Sequence, residues 1–266
     1  MHRAASKDNI EALKLLLNVP SIDVDIVDRE GLSALHRAVN SANWKLLFNF
    51  PNINVNIALL QLCEKGDLEG VKTALQRGAD INSKEKYETS FANVNIEKDK
   101  TGLMHAVRYK NNSVVALLLK TPNIDVNQRD DYRRCALHWA VTKENNEALK
   151  LLLNAPGVDV NIVDNSRKSV LHRAVLADNI EALELLLNVP NIDVNIVDSY
   201  GENAVHRSAI KDNIWALKML LHHPGLTALT LNQKNWRGDT PVILALKRKK
   251  FDHLALLAAV PRVDFD

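Results

Sequence analysis

Cysteine, glycine and long apolar runs are all scarce in this chain, and each scarcity removes a class of protein. Two cysteines occur in 266 residues, Cys63 and Cys135, far apart in sequence, so neither a disulfide framework nor a thiolate metal cluster is available. Nine glycines supply no Gly-rich phosphate loop. No run of about 18 apolar residues exists to span a bilayer, and the opening stretch, MHRAASKDN, lacks the apolar core of a secretory signal. The formal net charge is +2, and the basic and acidic residues are mixed in sign along the chain, without the basic, aromatic-studded stripe that grips nucleic acid. Nucleophile motifs, metal-ligand spacings and cofactor cradles are missing as well. These absences argue against an enzyme, a cofactor, a small-molecule substrate, a nucleic-acid partner and a membrane span. They place the chain in the cytosol or the nucleus.

What is present is a lattice. His2 to His36, His138 to His172 and His172 to His206 are each 34 residues, and His36 to His138 is 102, three times 34. Residues 2–28 and 172–198 are identical at 21 of 27 positions. A period of 20–50 residues signals stacked supersecondary units, none of which buries its own apolar face.

Residues 164–197 read as one such unit. Ser169 caps a first helix carrying Leu171, Ala174 and Val175, and Asp178-Asn179 breaks it. A second helix runs from Ile180 to Leu187, with Ile180, Leu183, Leu186 and Leu187 on one face and Leu185 on another. Pro190 ends it. Residues 192–197 then alternate apolar and polar, as an extended finger does.

The phrases Ser33-Ala-Leu-His-Arg-Ala38, Thr101-Gly-Leu-Met-His-Ala106, Cys135-Ala-Leu-His-Trp-Ala140, Ser169-Val-Leu-His-Arg-Ala174, Asn203-Ala-Val-His-Arg-Ser208 and Thr240-Pro-Val-Ile-Leu-Ala245 recur with the lattice. They resemble the Thr-Pro-Leu-His-x-Ala signature of the ankyrin repeat family, and the likeness covers nearly the whole chain. The resemblance implies an all-α solenoid of about eight helix-turn-helix-hairpin units in a right-handed curved stack. The units fall at about 1–27, 28–56, 57–82, 97–129, 130–163, 164–197, 198–234 and 235–266. It also implies that the recurrent histidine braces its own turn and the adjacent finger. Metal binding is disfavoured independently. Equivalent side chains in stacked helices stand roughly 8–10 Å apart, whereas two zinc ligands lie within about 4 Å of each other.

By the same resemblance, finger tips and inner-helix ends line a concave groove that binds a partner protein. At the tips these positions are Arg29, Glu30, Tyr132, Arg133, Ser199, Tyr200, Trp236 and Arg237. On the helices they are Asn40, Ser41, Thr142, Lys143, Ile210, Lys211, Lys247 and Arg248. Tyr132, Tyr200, Trp236, Arg133 and Arg237 are the expected anchors, being of the types that dominate interface energetics. Asn127, Asn161 and Asn195 resemble ankyrin asparagines open to hydroxylation. Aspartates at the finger starts, Asp28, Asp130, Asp164 and Asp198, read as turn formers. Arg133 and Arg167 stand where Gly31, Gly201 and Gly238 stand in other fingers, so those two turns must avoid a positive φ or accept strain. The run Lys247-Arg-Lys-Lys250 either complements the negative end of its helix or serves as an import signal or acidic-partner contact.

The lattice breaks once. Between His36 and Met104 the steps are 24 and 44, whose sum, 68, is twice 34. Residues 44–60 lose a helical turn and a finger, and residues 83–98 regain the length as an inserted loop. That loop is either solvated chain or a docking element with Tyr87 and Phe91 as its anchors. The chain starts and stops within the repeat without polar caps, so it reads as a piece of a longer array, a protein with covered ends, or a self-associating one. The function that follows is a non-catalytic protein-interaction scaffold for a partner whose identity is not written in the sequence. The alternatives are a targeting or regulatory cassette of a larger protein (a channel, kinase or ubiquitin-ligase adaptor) or a drifting array without a partner. In hydrogen exchange, amides of residues 40–100 are expected to open before those of 130–200; uniform protection across both would contradict a weak joint.

Overall fold

In the computed structural model the leucine periodicity becomes short helices arranged in antiparallel pairs. The structure describes all residues except 8, 30, 31, 39, 40, 85–98, 262 and 264–266, and the Ser41 side chain. Contacts divide the chain into two compact units, Met1–Asp125 and Val126–Asp266.

The first unit holds α1 (His2–Ser6) with α2 (Ile10–Leu17) and α3 (Ala34–Arg37) with α4 (Ser41–Phe48). It continues through α5 (Val55–Lys65) with α6 (Leu68–Gln76) and α7 (Gly102–Arg108) with α8 (Asn112–Lys120). The second unit holds α9 (Ala136–Thr142) with α10 (Asn146–Leu153), α11 (Val170–Ala177) with α12 (Ile180–Leu187) and α13 (Ala204–Ile210) with α14 (Ile214–His222). After the short α15 (Ala228–Leu231) it ends on α16 (Pro241–Lys247) with α17 (Phe251–Ala258). Both helix boundaries read from residues 164–197 coincide with α11 and α12.

Each boundary has a local cause. Thr101, Ser169, Asn203 and Thr240 accept the N–H three residues on, opening α7, α11, α13 and α16. Asn9, Asp67, Asn145 and Asn179 do the same for α2, α6, α10 and α12. Each such cap contributes about 1 kcal/mol. Between the helices of a pair the chain reverses through a left-handed residue, as at Lys110, Glu144, Asp178 and Lys249, with φ between 51° and 60°. The inner surfaces then close on Leu149, Leu152, Leu183, Leu186, Leu217 and Leu220, each fully buried. Burial of each is worth about 1.5–3 kcal/mol.

The recurrent histidine joins one pair to the next. In the second unit, backbone N–H groups of Cys135, Ser169 and Asn203 point at Nδ1 of His138, His172 and His206, at 3.4, 3.2 and 3.3 Å. The opposite nitrogen, Nε2, reaches the carbonyl of Lys168 at 3.1 Å, of Glu202 at 2.9 Å and of Asp239 at 3.3 Å. A carbonyl cannot donate, so Nε2 carries the proton and the ring is neutral. Each imidazole thus ties the start of its own helix to the base of the following finger, and neither nitrogen is left to ligate a metal.

The fingers are extended without forming a sheet. Among the described residues no strand ladder forms; isolated bridges at Val27–Ser33, Lys84–Thr101 and Val163–Ser169 are the extended pairing present. Ile192 and Val194 do turn inward while Asp193 faces solvent, and the N–H groups of Asp193 and Asn195 bond to the side-chain oxygens of Asn161 and Asp193. The extra length near residue 228 forms α15, capped by the Thr227 hydroxyl at 3.1 Å from the N–H of Thr230.

At the broken lattice the shortening falls elsewhere than expected. Helix α4 keeps eight residues, like α10 and α12, whereas α3 has four. The finger is indeed replaced, because Asn54 caps an eleven-residue α5 that starts at Val55. The joint is stitched by side chains. Trp44 stacks on Phe48 at 4.9 Å and donates to Gln61 Oε1 at 2.8 Å, while the Arg77 guanidinium bonds the carbonyls of Phe48 and Phe50. Among the described residues a cavity of about 510 Å³ remains beside Val27, His36, Asn56 and Leu60. Of the inserted loop 83–98, residues 83 and 84 are described; Tyr87 and Phe91, the anchors of its docking alternative, lie outside the described residues.

The latch carries a pH dependence. Burial pushes the pKa of His138 down from 6.5 to about 4, and lowers those of His172 and His206. A folded-state pKa below the unfolded one means that the unfolded chain takes the proton first, so stability is complete above pH 6.5 and declines toward pH 4. The His138 share of that loss is roughly 3 kcal/mol. Urea midpoints followed by tryptophan fluorescence at pH 7 and 4.5 should show the drop, and H138Q should reduce it by the His138 share while leaving that of His172 and His206.

Candidate protein-binding surface

Four fingers of the second unit are built on one plan. An aspartate at the base, Asp130, Asp164 or Asp198, accepts tip N–H groups on Oδ1: Tyr132 and Arg134 at 3.0 and 2.8 Å, Ser166 and Lys168 at 2.8 and 2.9 Å, Tyr200 and Glu202 at 2.8 and 3.1 Å. In the fourth finger Asn235 does this for Arg237 and Asp239, both at 2.9 Å. The turn-forming aspartates are therefore confirmed in that role. Tip backbones are also bonded in series: Asn165 N–H to the Tyr132 carbonyl, Ser199 to Ser166 and Trp236 to Tyr200, at 2.9, 2.9 and 3.0 Å. Arg133 and Arg167 accept the left-handed conformation, at φ 59° and 57°, where Gly201 and Gly238 lie at 72° and 78°. Such backbone costs a non-glycine residue on the order of 1 kcal/mol.

The second carboxylate oxygen of each base aspartate faces the inner helix. Arg173 bonds Asp164, and Arg207 bonds Asp198 at 3.1 Å, in each case nine residues on; Arg37 and Asp28 repeat the pair in the first unit, at 2.7 Å. Burial alone would raise the carboxyls of Asp164 and Asp198. The backbone N–H bonds and the guanidinium outweigh it, so both lie below the usual range. Two fingers vary the pair. Trp139 stands at the arginine position and donates its indole N–H to Asp130 at 3.1 Å, with Arg134 completing the charge at 2.8 Å. Leu244 stands there in the last pair, and Lys247 reaches Asp239 at 2.5 Å instead. Sequence reading missed this column, although an arginine directly after the lattice histidine, nine residues past the finger aspartate, was its visible signal.

The expected binding positions scatter over this frame. Arg29, Tyr132, Arg133, Thr142, Lys143, Ser199, Tyr200, Trp236, Arg237, Lys247 and Arg248 are exposed; Ile210 and Lys211 are half-buried. Glu30 and Asn40, and the side chain of Ser41, lie outside the described residues. One group converges. Tyr200, Ile210, Trp236, Arg237 and Arg248 line a groove of about 430 Å³ together with Leu244. The Tyr200 and Trp236 rings lie 6.2 Å apart, and the Arg237 guanidinium stacks 4.9 Å from the Trp236 ring. Tyr132, Arg133, Thr142 and Lys143 do not line it. Of the basic run, Lys247 and Lys250 are engaged with Asp239 and Asp212, while Arg248 faces the groove.

Asn127, Asn161 and Asn195 are half-buried and tied in two directions. Their amides donate to the carbonyls of Gly157, Asn191 and Gly225 at 2.8, 2.8 and 3.0 Å. Their side-chain oxygens accept the N–H groups of Asp159, Asp193 and Thr227 at 2.9, 2.8 and 3.3 Å. Each asparagine thus links its finger to the next. Chemically reactive groups are otherwise muffled. Burial raises both thiol pKa values, that of Cys135 to about 11, so neither is a thiolate at neutral pH. Among the described residues no helix is long and apolar enough to cross a membrane.

The family model described as "Ankyrin repeats (3 copies)" matches residues 1–85, 59–164, 143–228 and 171–265. Among solved structures, the ankyrin repeat domain of Bcl-3, a member of the IkappaB protein family, is 22% identical with a TM-score of 0.65, covering 78% of this chain and 86% of that one. An ankyrin repeat domain from Acinetobacter baumannii is 21% identical at TM-score 0.64, covering 76% and 96%. A chain in the complex of the Bdellovibrio bacteriovorus predatory endopeptidase Bd0816 with immunity protein Bd3460 is 24% identical at TM-score 0.61, over 76% and 96%. At these identities the likeness is one of fold. No curated protein sequence is matched by the chain.

The asparagine links can be tested against a natural exception. Asp25 occupies the lattice position of Asn195; it accepts the Asn54 N–H at 3.1 Å but has no amide to offer a carbonyl. Burial raises its pKa, with the Asn54 N–H opposing and Asp23 adding to the rise. D25N should therefore stabilise the protein by about 1 kcal/mol, and the gain should grow as pH rises through the carboxyl titration. N161D should cost roughly 1–2 kcal/mol at neutral pH, read from urea midpoints.

Proposed function

The chain belongs to the ankyrin repeat family, and from that premise we propose that it is a non-catalytic scaffold that binds a partner protein on its finger tips and inner-helix ends. One observation carries this reading. Tyr200 and Trp236 are 47% and 66% exposed, held by tip-to-tip backbone bonds, and contribute little to the core. Exposed aromatics on a rigid frame are what an interface uses, because they bury large area and lose few torsions.

The same frame leaves the chemically reactive side chains occupied. The latch histidines are neutral and doubly bonded, the finger aspartates are consumed by turns and arginines, and the thiols are buried. In this reading the protein works in the cytosol or nucleus, where Cys63 and Cys135 stay reduced. The asparagine positions Asn127, Asn161 and Asn195 remain candidates for hydroxylation at Cβ, a change visible as added oxygen in intact mass.

Affinity capture with paired variants tests the surface. A triple variant, Tyr132→Ala with Tyr200→Ala and Trp236→Ala, should lose the proteins that the wild type captures. W215A, which removes an exposed aromatic from the outer helix α14, should keep them. Equal capture by all three proteins would end the proposal.

A further inference from the structure

The groove between the last two fingers has a chemistry of its own, and it departs from the repeat in two ways. First, its lining gains an aliphatic side chain. Where Arg173 and Arg207 stand in the preceding pairs, the last pair has Leu244, which lines the groove together with Ile210. Second, its charge is unbalanced. The two carboxylates in the lining already have cations beside them: Glu202 lies 2.9 Å from Arg207 and accepts the Asn235 amide at 3.0 Å, and Asp239 pairs with Lys247 at 2.5 Å. Arg237 and Arg248 are exposed and have no carboxylate partner among the described residues. Arg237 is stacked on Trp236, an arrangement that holds a guanidinium in place while leaving its edge N–H groups free for a bidentate acceptor.

We propose that this groove binds an acidic, hydrophobic peptide segment of a partner protein. One large apolar side chain sits on Ile210 and Leu244 between Tyr200 and Trp236, and flanking carboxylates meet Arg237 and Arg248. This rests on the reading of the face as a partner-binding surface and adds which chemistry it selects. A basic segment would meet two uncompensated guanidinium groups. A fully polar acidic segment would leave Ile210 and Leu244 uncovered. Single-stranded nucleic acid also stacks on aromatics in basic grooves, but the aliphatic Ile210 and Leu244 offer nothing to a phosphate chain, and among the described lining residues two cations, Arg237 and Arg248, lack a carboxylate.

The probe is a fluorescently labelled peptide, acetyl-Glu-Asp-Phe-Leu-Asp-Glu-amide, titrated with the full chain and followed by anisotropy. Three companions accompany it: one with Lys for every acid, one with Ser for Phe and Leu, and an oligothymidylate. The acidic peptide should bind, and raised salt should weaken it. The serine peptide, the W236A protein and the Arg237→Glu, Arg248→Glu protein should each lose at least tenfold. The lysine peptide should bind the double glutamate variant better than the wild type. All of these side chains are exposed, so urea midpoints of the variants should match the wild type; the pair Arg237→Gln with Arg248→Gln repeats the test should the charge reversal disturb folding. No acidic-peptide binding, equal binding of the lysine peptide to the wild type, or tighter oligothymidylate binding would overturn the inference. The scaffold reading is judged separately. Protein capture lost in the triple aromatic variant but kept in the double glutamate variant would overturn the acidic-peptide assignment alone, and capture indifferent to both would overturn the scaffold.

Discussion

In the second unit the carbonyl at the base of a finger accepts twice: once from the N–H that opens its own finger, as Asp164 gives to Lys168, and once from the imidazole of the preceding pair. The imidazole is the donor that comes from outside the finger. Three consecutive contacts of this kind, from His138, His172 and His206, share one tautomer and one geometry. The constraint is strict because the ring has two tasks: Nδ1 must accept from its own helix start while Nε2–H donates onward. Protonation destroys the first task and a second acceptor would destroy the other. The leucine contacts drive the stacking, but they are non-directional; the imidazole sets how one pair registers on the next.

The finger follows from a second economy. A two-stranded hairpin of this length would be marginal alone, and the structure does not build one. Asparagine and aspartate side chains take the backbone groups that a sister strand would otherwise satisfy. Asn161, for instance, serves both the carbonyl of Asn191 and the N–H of Asp193. Asp164 serves two tip amides and an arginine at once. The result is a tip that needs little residue identity for its own stability. Tyr, Trp, Arg and Ser can then occupy equivalent places, and the surface is free to differ from finger to finger while the frame stays constant.

The broken lattice shows how the same frame tolerates loss. Where a finger is missing, α5 starts early on an Asn54 cap and α3 gives up half its length. Side chains with long reach then bridge the gap: Arg77 to the carbonyls after α4, and Trp44 to Gln61. The reading that α4 would shorten failed for a simple reason. The steps of 24 and 44 located the deletion but could not say which element would absorb it, and the chain kept the helix that carries Trp44, Leu47 and Phe48 in its core.

The linear sequence by itself determined the helix pairs, their caps and the histidine register, because burial and capping recur with the period and periodicity is what a sequence displays. It also located the finger aspartates and the candidate tips. It did not say that Tyr200 and Leu244, 244 − 200 = 44 residues apart, share a groove, that Glu202 and Asp239 are already neutralised, or that Arg248 faces inward while Lys247 does not remain free. Those outcomes depend on side-chain reach and on which charges find each other first. Neither leaves a periodic trace, so tertiary structure alone decided which few of the exposed residues meet.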